Sequence, residues 1–148
     1  MRKSKSHTTQ RQDAVKYGRV SSKEQEKEGF SIPAQFKLLD QYAKSQGLKV
    51  VREFVDVETA KKPGRAGFDE MIKFLKRSSV RVLLVEKTDR LYRNLKDYVT
   101  VDELDLEIHF VKEKSLNSAL NNLNQLIWKR TKPERTKSVR SRIVFSCG

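Results

Sequence analysis

Cysteine is nearly absent: the 148 residues contain one, Cys147, a single residue from the end. One thiol closes no internal disulfide and has no partner for a metal site, so a reducing compartment is expected. Histidine is almost as scarce, and His7 and His109 match no zinc-ligand spacing. No apolar run approaches the roughly 20 residues a membrane span requires. The opening MRKSKSHTTQRQD is basic but lacks the apolar stretch of a secretory signal, which leaves a disordered basic tail over residues 1–13 in a cytoplasmic protein. Negative charge is also short. Against 32 Lys and Arg stand 19 Asp and Glu, a net charge of +13. Such a field attracts polyanions, nucleic acid first and an anionic membrane surface second.

What is present alternates between two periodicities. AVKYGRV (14–20) suits a short strand, and a polar loop, SSKEQEKEGF, follows. Ile32, Phe36, Leu39 and Ala43 recur at helical spacing, with Ser31 as N-cap, Pro33 in the first turn and Gly47 past the end. KVVREFVD (49–56) reads as a second strand and VETAKKPGR (57–65) as a loop. A further helical stripe runs through Phe68, Met71, Ile72 and Leu75. RVLLVEK (81–87) then has the unbroken apolar character of a strand buried on both faces. Residues 89–104 are expected to be helical and 107–113 to form a fourth strand. Strands alternating with helices predict an α/β domain with a largely parallel sheet.

From residue 114 the character changes, and the domain boundary is placed near Lys114. Leu116, Leu120, Leu123 and Ile127 keep helical spacing in a segment whose asparagines oppose a helix. Between Lys129 and Arg142 seven residues are basic and only Glu134 is acidic. The expected organisation is therefore a tail (1–13), a domain (14–113) and an atypical basic segment, part helical (114–148).

Open α/β sheets bind ligands beyond the carboxyl ends of their strands. In this reading those ends carry Arg19, Ser21 and Ser22, then Asp56, then Asp89, Arg90 and Arg93, with Arg65 from the loop after strand two. Singly, each has a plain structural reading. Ser21 suits a turn or cap, Asp89 an N-cap, and Arg90 and Arg93 a solvated helix face. Gathered at one edge, the arginines would repel one another unless an anion sits among them. A serine nucleophile with arginines to hold nonbridging oxygens suits attack on a phosphodiester. No carboxylate cluster suited to a metal pair is evident, and no cofactor is expected.

YGRVSS with Gln25, GFSIPAQ, EFVDVETAKKPGRAGF and LLVEKTDRLYRNLKDY resemble, in that order, the catalytic domain of serine site-specific recombinases, the resolvase/invertase family. The resemblance spans about Val15 to Glu113, and SIPAQ looks more like the large serine recombinases than the small resolvases. It implies a three-layer fold, a mostly parallel sheet of four to five strands with helices on both faces. It also implies DNA recombination without metal or ATP, in which Ser21 attacks a backbone phosphate to give a 5′-phosphoserine link. Arg19, Arg65, Arg90 and Arg93 match the family's phosphate-binding arginines, and Asp89 its carboxylate for proton transfer or arginine ordering. Gln25, Ser22 and Asp56 are expected on the substrate side. The implied partners are double-stranded DNA and further copies of the chain, as a homodimer or homotetramer.

Beyond residue 113 the resemblance ends. Neither the family's long interface helix nor a separate DNA-binding domain is recognisable there, as though a truncated chain had followed a change of reading frame. The alternative function is a remnant that binds nucleic acid or regulates without recombining. A basic RNA-binding protein is disfavoured because aromatics do not interleave the basic runs.

Overall fold

The computed structural model describes residues 11–22, 31–59, 61, 64–112 and 141–145. The described residues fold as β1 (Asp13–Ser21), α1 (Ile32–Gln46), β2 (Lys49–Glu58), α2 (Ala66–Arg77), β3 (Val82–Val85), α3 (Thr88–Leu91), α4 (Leu95–Asp102), β4 (Glu107–Phe110) and β5 (Arg142–Phe145). The strands form one sheet in the order β2-β1-β3-β4-β5, and every adjacent pair is parallel. The expected α/β architecture, a mostly parallel sheet of four to five strands, holds.

Helices cover both faces. On one, Leu39 and Ala43 of α1 pack against Ala14, Val82 and Leu84. On the other, Phe68, Met71, Ile72 and Leu75 of α2 meet Val15, Tyr17, Leu83, Val85 and Phe110, with Leu91, Tyr92 and Val101 alongside. Alternate residues of β3 therefore serve opposite cores, which is why VLLV is apolar throughout. Burial of each such side chain stabilises the fold by about 1.5–3 kcal/mol relative to exposure.

The caps expected for α1 are in place. Ser31 Oγ accepts the Ala34 amide, and Gly47 closes the helix in the left-handed region at φ 67°.

Three local features differ from the sequence reading. β2 continues to Glu58, because Val57 and Glu58 still pair with Val20 and Ser21. Residues 89–104 form two short helices rather than one. Tyr92 turns extended (φ −102°, ψ 126°) to bury its ring against Phe110 and Tyr98, and Asn94 starts α4 by accepting the Asp97 amide. Past the boundary placed near Lys114, Arg142–Phe145 form a fifth strand on β4. That strand is secured by the Ser141 amide, which donates to Asp102 Oδ1 at 2.9 Å, and by Ser141 Oγ, which accepts the Leu106 amide. The tail before residue 11 and the amphipathic stretch 116–127 lie outside the described residues.

Among the described residues, no helix is long and apolar enough to cross a membrane.

Candidate active site

The chain leaves β1 towards β2 on one side and later returns to β3 on the other, so strand order reverses between β1 and β3. This switch point is where open α/β sheets hold ligands. Arg19, near the end of β1, bridges it. Its Nε donates to the Arg90 carbonyl at 3.2 Å and its Nη2 to the Asp89 carbonyl, both on α3. A buried amide fixes the strand behind it, with Gln35 Nε2 donating to the Arg19 carbonyl at 3.1 Å. Two residues on, Ser21 ends β1 half-buried, while Ser22 is exposed. Ser21 faces Glu58 across the β1–β2 ladder.

Asp56 is 4% exposed. Its Oδ1 accepts the Gly67 amide and its Oδ2 the Phe68 amide, each at 2.8 Å, and Oδ2 also accepts the Tyr17 hydroxyl at 2.7 Å. Gly67 and Phe68 are the second and third residues of α2, whose N-cap position, Arg65, offers no capping side chain. A carboxylate from the neighbouring strand thus caps the helix and meets the positive end of its dipole. The close approach requires glycine: a Cβ on Gly67 would stand 2.3 Å from the Val55 carbonyl oxygen.

That cap also aims Arg65. Its Nη2 donates to the Tyr17 hydroxyl at 3.1 Å and to the Leu91 carbonyl at 2.7 Å, its Nη1 to Asp97 Oδ2, and its guanidinium lies 4.1 Å from the Phe68 ring centre. Asp97 in turn accepts the Arg93 amide at 2.8 Å. Burial is the main reason the Tyr17 hydroxyl is held well above its ordinary value of 10.0; the Arg65 charge opposes it. Tyr17 is therefore a neutral donor to Asp56 at physiological pH.

Each arginine named from the sequence lies beside a carboxylate. Arg65 pairs with Asp97. Arg90, only 7% exposed, lies 3.7 Å from Glu86, which also takes Lys112 Nζ at 3.1 Å. Arg19 and Arg93 share Glu58, at 3.2 and 2.7 Å. The structure brings Arg19, Ser21, Asp56, Arg65, Asp89, Arg90 and Arg93 to one end of the sheet; Asp89 has an exposed side chain, and Gln25 lies outside the described residues. Sequence reasoning placed Glu86 at the end of strand three without giving it a role, and it missed Tyr17, Glu58 and Asp97 as members of the cluster. A carboxylate within reach of each arginine was the available signal. Among the described residues, no group of three or more His, Cys, Asp or Glu is placed to hold a metal ion.

Residues 14–129 match the family model described as the N-terminal domain of resolvase. Three solved structures are similar. The C-terminal catalytic domain of ISC1926 TnpA, an IS607-like serine recombinase, is 29% identical, with a TM-score of 0.55 over 79% of this chain and 81% of that one. The N-terminal catalytic domain of TP901-1 integrase is 25% identical, with a TM-score of 0.59 over 80% and 93%. A resolvase-family site-specific recombinase from Streptococcus pneumoniae, at 24% identity, shares the fold with a TM-score of 0.60 over 80% and 89%. No curated protein matches the sequence.

Proposed function

The chain belongs to the resolvase N-terminal-domain family, the catalytic domain of serine site-specific recombinases, and from that premise we propose how its sheet edge cuts and rejoins DNA. Ser21 Oγ attacks a backbone phosphorus and loses its proton, while the P–O3′ bond breaks and the 3′ oxygen takes up a proton. The products are a 5′-phosphoserine ester and a free 3′-hydroxyl. Attack by a 3′-hydroxyl on that ester reverses the step and reseals the strand, so the bond energy is conserved in the ester and no nucleotide cofactor is consumed.

The observation carrying this reading is the position of Ser21 at the switch point. It lies two residues beyond an arginine locked to α3 and across the β1–β2 ladder from Glu58, which meets Arg93. Arg19 and Arg93 hold the nonbridging oxygens, a role in which one lost donor costs about 10²–10³-fold in rate. Arg65 and Arg90, more deeply buried, supply positive potential from beneath. Asp89, exposed on α3, is assigned the proton traffic, and Ser22 the turn after β1. Asp56 acts by positioning α2 and Tyr17 rather than by meeting DNA.

Each chain supplies one Ser21, and exchange between two duplexes breaks four strands, so a tetramer assembled from dimers on double-stranded DNA is the working unit. A DNA substrate and a lone cysteine agree with a cytoplasmic location.

The test mixes the purified protein with a supercoiled plasmid carrying the DNA that flanks its own coding sequence, and quenches with denaturant. A covalent protein–DNA complex that Ser22→Ala retains and Ser21→Ala abolishes is the expected result. A complex that survives Ser21→Ala refutes the assignment, and absence of any complex with the unaltered chain supports a binding or regulatory remnant.

A further inference from the structure

Glu58 is an anion that phosphoryl transfer does not require, placed where the phosphate is expected. It ends β2 as the register partner of Ser21. Its Oε2 lies 3.2 Å from Arg19 Nη1 and its Oε1 lies 2.7 Å from Arg93 Nη1, so one carboxylate bridges cations from β1 and from the α3–α4 connection. The remaining nitrogens of Arg19 are occupied by the Asp89 and Arg90 carbonyls, which fixes the fork with Nη1 turned towards Glu58.

The bridge is close but poorly made. Glu58 Oε1 is shut off from solvent and, despite the short approach of Arg93, no hydrogen bond to it is aligned. A charged oxygen removed from water without directed donors is incompletely compensated. A phosphodiester presents two nonbridging oxygens that a guanidinium fork can meet bidentately, whereas Arg19 and Arg93 each reach Glu58 through a single nitrogen. The other two pairs differ in exposure rather than in hydrogen-bond alignment, since Glu86 Oε2 and Arg90 Nε are also buried without an aligned bond. Asp97 is tied to Arg65 and to the Arg93 amide, and Glu86 is 3% exposed, so both are built into the structure. Arg93, with its side chain 35% exposed, is the cation a ligand reaches from solvent.

We infer that Glu58 is a resident substitute for the DNA phosphate: it holds Arg19 and Arg93 in place before DNA arrives and is displaced by the phosphate that Ser21 attacks. This deepens the recombinase reading and rests on it for the identity of the incoming anion. The device answers the repulsion expected among clustered arginines. It also sets a threshold, because an arriving phosphate gains only the difference between its own contacts and those of Glu58. A phosphate off the correct register therefore competes badly with the resident carboxylate.

The test is titration of the full chain with inorganic phosphate, followed through the arginine side-chain NMR signals, for the unaltered protein, Glu58→Gln and Glu58→Ala. Both variants are expected to bind phosphate at least tenfold more tightly, with the response at Arg19 and Arg93. Adding Arg19→Gln is expected to remove the gain. Phosphate binding no tighter in either variant than in the unaltered protein overturns the inference and leaves Glu58 a structural tie. Covalent complex formation, measured in parallel, separates the two readings. Tighter phosphate binding without a covalent complex from the unaltered chain sustains the substitute and rejects the nuclease step; the reverse pattern rejects the substitute alone.

Discussion

Replacing Asp56 with alanine strips three hydrogen bonds from one buried point. The Gly67 and Phe68 amides lose the acceptor that caps α2, and the Tyr17 hydroxyl loses its partner. Capping alone is worth about 1 kcal/mol, and hydrogen bonds to a charged acceptor about 1.5–3 kcal/mol each. Water entering the space of the missing carboxylate restores part of this. The net expectation is a loss of about 4 kcal/mol, a large share of the roughly 5–15 kcal/mol that stabilises a domain. At about 4 °C per kcal/mol for a chain this size, Tm falls by about 15 °C. Asp56→Asn keeps one acceptor for Gly67 but points an amide donor at the Phe68 donor and removes the charge at the helix terminus. It should lose about half as much. Thermal unfolding followed by circular dichroism ranks the three proteins. A loss under about 1 kcal/mol for Asp56→Ala, or an Asp56→Asn protein as stable as the unaltered one, refutes the non-local cap.

Gly67→Ala drives a methyl into the Val55 carbonyl, so Tm is expected to drop and, because Arg65 starts the same helix, covalent complex formation should drop with it. Arg65→Lys retains the charge but replaces a fork that reaches Asp97, Tyr17 and Leu91 with a single ammonium; covalent complex should fall at least tenfold in a quenched-cleavage assay, with little change in nonspecific DNA binding. All four tyrosines, Tyr17, Tyr42, Tyr92 and Tyr98, are raised above the ordinary 10.0, chiefly by burial. A raised folded value means the native state holds its protons more tightly than the unfolded state. The stability from this source is complete below about pH 10 and is lost as pH climbs beyond it. Tyrosinate absorbance should therefore rise together with loss of the circular dichroism signal. A tyrosine titrating near pH 10 in the still-folded protein contradicts that expectation.

Local chemistry was legible in the sequence, and long-range pairing was not. Ser31, Pro33 and Gly47 marked α1 because caps act within a few residues of the helix they close. The VLLV run announced a strand covered on both faces. By contrast, Val57 and Glu58 sit beside Thr-Ala-Lys-Lys-Pro-Gly and read as loop, yet the ladder to β1 carries the strand two residues further. The same ladder puts Glu58 opposite Ser21. Residues 89–104 keep helical spacing through Tyr92, and only the pull of Phe110 and Tyr98 on its ring breaks the helix there. The role of Asp56 was hidden for a similar reason: its partners lie 11, 12 and 39 residues away. β5 belongs with these, since Arg142–Phe145 gain a strand's identity from β4.

The arginines show what the cluster adds to its members. Sequence alone predicts repulsion, because four cations gather at one edge and only Asp56 and Asp89 are named there with them. The structure answers with carboxylates of two kinds. Asp97 and Glu86 hold Arg65 and Arg90 from within, where neither partner meets much solvent and removing one would strand the other. Those pairs are built into the fold, and the positive potential they keep lies beneath the site. Glu58 alone spans Arg19 and Arg93 at the rim. When it swings aside, two positive charges open together beside Ser21. The attraction for phosphate is then greatest beside Ser21, the proposed nucleophile, although the whole chain is basic.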